Sequence, residues 1–78
     1  MDRWNGTRWA TLLQRFRQRA GLTRTELARS LSVTISYISK LEAGQKPPPE
    51  PQRRNIAEVL ELTDEERFLI DELFYQEK

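Results

Sequence analysis

Neither cysteine nor histidine occurs among the 78 residues. That excludes disulfides, thiol chemistry, zinc sites built on those ligands, and the commonest catalytic base. No apolar run approaches a membrane span, and no charged-then-apolar signal segment opens the chain, so the expected location is the cytoplasm. Strand candidates and internal repeats are absent too. The chain is also short. One domain spanning 1–78 is expected, and a domain of this size buries only about 60% of its unfolded surface. Without disulfides or metal, the stabilising resources left are helix packing and self-association.

The formal net charge of +1 hides an asymmetry. Residues 1–54 hold eleven Lys/Arg against four Asp/Glu, or +7, and residues 55–78 hold two against eight, or −6. This predicts a basic interaction surface with an acidic region facing elsewhere.

Apolar spacing and punctuation divide the chain into five short helices. Trp9, Leu13, Phe16 and Ala20 recur at helical spacing, with Leu12 widening the stripe, and Gly21 supplies a stop. Thr23-Arg24-Thr25-Glu26 is a capping box that opens a second helix to about Leu31, burying Leu27, Ala28 and Leu31. After Ser32-Val33, Thr34 is the N-cap expected for a third helix, buried through Ile38 and Leu41 and ended by Gly44. The prolines at 47, 48, 49 and 51 predict a stiff extended connection over the surface, with the fourth helix starting near Gln52 and ending near Leu60. A second capping box, Thr63-Asp64-Glu65-Glu66, opens a fifth helix over about 64–76.

The fifth helix carries more apolar surface than one face requires. The surplus around Leu69, Leu73 and Phe74 predicts a homodimer contact.

The segment 24–43 carries the most information. Two short helices joined by a three-residue turn cross steeply, which calls for a small residue at the contact and apolar anchors beside it. Ala28 is the small residue; Leu27, Leu31, Val33, Ile38 and Leu41 are the anchors. With Arg17, Gly21-Leu22-Thr23, Glu26-Leu27-Ala28, Val33-Thr34, Tyr37-Ile38-Ser39, Leu41-Glu42-Ala43-Gly44 and Ile56-Ala57, the chain resembles the phage repressor and Cro-like helix-turn-helix family over about 8–62. The sequence departs from that pattern in having Arg24 where glutamine is frequent and Ser32 where the turn often has glycine.

The resemblance implies a lambda-repressor-like fold, an all-α bundle of five short helices, and binding of double-stranded DNA by a dimeric transcriptional regulator of repressor type. It implies that the third helix enters the major groove with Thr34, Ile35, Ser36, Ser39 and Lys40 toward base edges. Arg24, Gln45, Lys46 and Arg53 are the expected phosphate contacts, with Arg15, Arg19 and Arg29 as lesser candidates. It also supplies Arg17 as partner for Glu42, a carboxylate that the dipole disfavours in the last turn of a helix.

Three other readings compete. Ser36 and Lys40 lie one helical turn apart, but no third orienting group or oxyanion-hole signal accompanies them, so no enzymatic activity is expected. The acidic run Asp64-Glu65-Glu66 is explained by the helix dipole, so neither a metal nor a cofactor is expected. A protein-interaction adaptor or an antitoxin using the same fold remains the alternative.

Overall fold

The computed structural model describes residues 4–77. They form five helices: α1 (Thr7–Arg19), α2 (Arg24–Leu31), α3 (Ile35–Glu42), α4 (Glu50–Val59) and α5 (Asp64–Gln76). No strand occurs among the described residues, and the architecture is an all-α bundle.

The helix starts follow local chemistry. Thr23 Oγ accepts from the Glu26 amide at 3.1 Å, and Glu26 Oε1 accepts from the Thr23 amide at 2.8 Å. Thr63 and Glu66 repeat this reciprocal cap at 3.2 and 3.0 Å. Thr34 Oγ caps α3 by accepting from the Tyr37 amide at 3.0 Å. Each arrangement occupies amides that the helix leaves without an intrahelical partner.

The first four helices also end alike. A residue of positive φ stands just past each: Gly21, Ser32, Gly44 and Glu61. The next amide then reaches back five residues, from Leu22 to Arg17, Val33 to Ala28, Gln45 to Lys40 and Leu62 to Ala57, over 2.9–3.2 Å. This closure satisfies terminal carbonyls and turns the chain sharply. At Ser32 and Glu61 the left-handed conformation costs about 1 kcal/mol, because a Cβ is present. At Gly44 a side chain is doubly excluded. Its φ is +72°, and an added Cβ would lie 2.8 Å from the Gly6 carbonyl carbon.

The proline segment differs from its expected form. The fourth helix begins at Glu50 with Pro49 as N-cap and Pro51 inside the first turn, where a missing amide hydrogen sacrifices no helical bond. Pro48 is fully buried rather than carried over the surface.

Trp9, Leu13, Leu27, Ile38, Leu41, Ile56 and Ile70 form the innermost core, drawn from all five helices. The buried Trp9 indole donates to the Ile70 carbonyl at 3.1 Å, as a buried indole requires. Trp4 packs on Trp9 and Phe74 and donates to the Phe74 carbonyl at 3.3 Å. The N-cap of α1 is Gly6, which has no side chain to cap the helix. Instead Glu77, at the far end of the chain, accepts from the Trp9 amide at 3.0 Å.

Phe74 is therefore a core residue, which corrects its assignment to a dimer surface: Trp4 and the Arg53 guanidinium cover its ring. Leu73 is partly buried, while Leu69 remains 42% exposed.

Glu66 takes both an ion pair with Arg19 of α1 and its place in the α5 cap. The Arg19 guanidinium first, and the Thr63 amide second, lower its carboxyl from the ordinary 4.5 to about 2. The folded value lies below the unfolded one, so the contribution is present above pH 4.5 and is lost as pH falls toward about 2. Urea denaturation at steps between pH 6 and 2 should show Glu66→Gln less stable than the wild type at pH 6, with the difference shrinking toward zero at pH 2. A pH-independent difference would show that the charge of Glu66 is not what matters.

Candidate nucleic-acid interface

Helices α2 and α3 cross with Ala28 at their contact, buried together with Leu27, Leu31, Ile38 and Leu41. Ser32, at φ 58° and ψ 41°, makes the turn between them. Val33 closes it by packing on the core. The serine thus adopts the backbone conformation that glycine takes more easily.

Beneath this pair lies an ionic cluster. Glu42, in the last turn of α3, has only 1% of its side chain exposed. Arg17 of α1 donates to it through Nε at 2.6 Å and Nη2 at 3.2 Å, and spends Nη1 on the Leu22 carbonyl at 2.9 Å. Arg24, the first residue of α2, donates through Nε to the same carboxylate at 2.8 Å. Gln14 completes the cluster, its amide donating to the Glu42 carbonyl at 2.9 Å. One carboxylate thus joins three helices, and two arginines neutralise it.

Arg24 differs from Arg17 in being half exposed. Only its Nε has a hydrogen-bond partner among the described residues, and the residue itself opens α2, at the helix end where the dipole favours an anion.

On α3, Thr34, Ile35, Ser36, Ser39 and Lys40 are all exposed on one side. Thr34 Oγ already accepts from Tyr37, leaving its hydroxyl proton and one lone pair for outside partners. Ile35, 49% exposed, is the large apolar group of this surface. Gln45 and Lys46 are exposed just past α3, and Lys46 Nζ rests 5.4 Å from the centre of the Tyr37 ring. Burial pushes the Tyr37 hydroxyl above its ordinary value, opposed by a hydrogen bond with Gln52, so the ring is a neutral shelf for the lysine.

Arg53 does not belong with these residues, which corrects its assignment as a phosphate contact. It is 4% exposed. Its Nε donates to Asp71 at 2.9 Å, its Nη1 to the Pro48 carbonyl at 2.9 Å and its Nη2 to the Tyr75 hydroxyl at 3.4 Å, while the guanidinium stacks on Phe74 at 3.9 Å. It clamps the proline segment to α5. Of the lesser candidates, Arg19 is held by Glu66, whereas Arg15 and Arg29 are exposed.

Two contributors escaped the sequence reading. Gln14 has a signal only in hindsight, since it stands one helical turn before Arg17 on the same face. Tyr37 has none, because a half-buried tyrosine in a short helix reads as core.

Two short helices in contact, joined by a three-residue turn, with the second exposed along one side and cations at its borders, define a helix-turn-helix domain. A family model described as "Helix-turn-helix domain" matches residues 9–69, and the chain belongs to that family. The match extends beyond the two-helix motif, from the first turn of α1 to the middle of α5. No curated protein matches the chain. Among the described residues no group of three or more acidic side chains is placed to hold a metal, and no helix is long and apolar enough to cross a membrane.

Arg17→Met should lower stability by about 3 kcal/mol, since it strips a buried carboxylate of its principal donor. Arg24→Gln, at a half-exposed site screened by water, should cost about 1 kcal/mol or less. With Glu42→Gln as the second mutation, denaturant titrations should give a coupling of about 1 kcal/mol or more to Arg17 and a smaller one to Arg24. Additive losses would mean the cluster does not act as a unit.

Proposed function

We propose that this domain binds double-stranded DNA sequence-specifically, as a Cro- and repressor-type transcriptional regulator acting as a dimer on two half-sites. The reading rests on one observation above all. The exposed side of α3 is bordered by Arg24, Lys40 and Lys46, while Glu42 beneath is already neutralised by two arginines. Such a surface meets a polyanion without an opposing charge.

In the corresponding docking, α3 lies in the major groove. Ile35 meets a thymine methyl, Ser36 and Ser39 take hydrogen bonds at base edges, and Lys40 reaches guanine O6/N7. Arg24, Gln45 and Lys46 hold phosphates, the last by leaving the Tyr37 ring. The cytoplasm is the matching location for such a regulator.

The test is a titration across salt concentrations against a site selected from random DNA. Two cations per protomer, Arg24 and Lys46, give about four phosphate contacts per dimer and a slope of log affinity on log salt near about −3.6. Lys46→Ala should weaken binding to all sequences alike and flatten that slope by about 1.8. Lys40→Ala should instead relax preference at one position per half-site, by about 1–3 kcal/mol against the preferred base. A flat salt dependence would favour an adaptor or antitoxin, and equal losses on every sequence would make Lys40 a phosphate contact.

A further inference from the structure

The contacts at both ends of α1 and α5 make the two helices antiparallel neighbours. Arg8, near the start of α1, lies 3.4 Å from Gln76 and 3.5 Å from Glu77 at the end of α5. Arg19, at the end of α1, pairs with Glu66 in the first turn of α5. Between these ties runs an apolar strip: Leu12 of α1 and Leu73 of α5, both partly buried against the core, with the more exposed Leu69 one turn from Leu73.

The banks of that strip carry opposite charges. With successive residues about 100° apart on a helix, Arg8 and Arg15 lie on the outward side of Leu12. Glu65 and Glu72 lie likewise on the outward side of Leu69. All four are exposed. Arg15, Glu65 and Glu72 form no ion pair among the described residues.

We propose that this α1–α5 seam is the face on which a second copy of the chain docks, about a two-fold axis running along the seam. Charge chooses both the occupant and the axis. A two-fold axis across the helices would oppose Arg8 and Arg15 to their own equivalents, and Glu65 and Glu72 to theirs. An axis along the seam instead lays the arginine bank of each copy over the glutamate bank of the other, and closes the leucine strips on each other. The levels also agree. With residue 8 beside 76 and residue 19 beside 66, Arg15 stands level with about residue 69, so the partner's Glu65 and Glu72 bracket it within about one helical turn. Packing through the outermost side of α5, around Phe68, is disfavoured because Asp64, Glu65, Asp71 and Glu72 flank it in both copies.

This deepens the dimeric reading above, and its test contains no DNA, so the two succeed or fail separately. Sedimentation velocity of the 9.3 kDa chain should show a dimer for the wild type at tens of micromolar. Arg15→Glu alone should be monomeric, because it faces the partner's glutamates, and Glu65→Arg/Glu72→Arg alone should be monomeric for the reverse reason. Mixing those two variants should restore the dimer mass, since each contact then pairs opposite charges. Circular dichroism would verify that each variant is as helical as the wild type, and Arg15→Gln, expected to weaken the dimer by severalfold without folding loss, supports the same reading by a milder change. A monomeric wild type, a dimeric Arg15→Glu chain, or a mixture that stays monomeric would each overturn the proposal. A monomer that still binds DNA with the steep salt slope would leave the DNA-binding reading standing.

Discussion

A carboxylate shut away from water is costly unless donors replace its hydration, and Glu42 is in that position at the last turn of α3, where the helix dipole adds to the penalty. The surrounding structure is arranged to meet this need. Arg17 comes from the last turn of α1, Arg24 from the first turn of α2, and Gln14 holds the Glu42 carbonyl. Because each donor sits on a separate helical turn, the cluster fixes the end of α3 against α1 and the start of α2 together. Apolar contacts at Ile38 and Leu41 would hold α3 down but are non-directional, leaving its rotation and axial slide less determined. The charged hydrogen bonds supply that direction.

A second linkage joins the start of α1 to the end of α5. Gly6, the N-cap of α1, offers no side-chain cap, and Glu77 at the end of α5 provides an acceptor. Trp4 covers Trp9 and Phe74, and the Gly6 amide donates to the Gly44 carbonyl at 3.1 Å. The residue that ends α3 is thereby tied to the segment that begins α1, which in turn rests on α5. For a domain with so little core, such long-range ties restrict the unfolding of any one helix alone.

How much was legible in the sequence followed the range of the physics involved. Capping boxes are local, and Thr23-Glu26 and Thr63-Glu66 announced two helix starts to the residue. Helix ends marked by Gly21 and Gly44 were equally plain. The ends at Ser32 and Glu61 use the same closure with residues that carry a Cβ, and Glu61 gave no warning, because its conformation is imposed by packing of Leu60 and Leu62 on the core. Pro51 misled for a related reason: proline spoils a helix interior, yet its place in the first turn depended on Pro49 serving as cap. The pairing of Arg17 with Glu42 was anticipated only through family resemblance, since twenty-five residues separate them. Arg53 and Phe74 were misplaced together. An arginine in a basic segment reads as a DNA contact and a phenylalanine in an apolar helix as surplus, but each is the other's burial partner.

The charge asymmetry has a different meaning in three dimensions than along the chain. Expected as a basic surface opposed to an acidic one, it is partly consumed inside the fold: Arg19 with Glu66, Arg53 with Asp71, and Arg8 with Glu77 all join the basic segment to the acidic end. These pairs hold α1 and α4 to α5 and remove three arginines from competition for a polyanion. Among the described cations that form none of these three pairs, Arg24, Lys40 and Lys46 border α3, while Arg15 lies on a second surface, the bank of α1 beside Leu12. Of the two acids that α2 and α3 carry, Glu42 is buried and the Glu26 carboxylate is committed to the Thr23 cap. On the second, unpaired glutamates lie across a leucine strip, an arrangement complementary to itself but not to DNA. The same excess of arginine therefore serves two surfaces with different partners, and what separates them is where α5 places its acids.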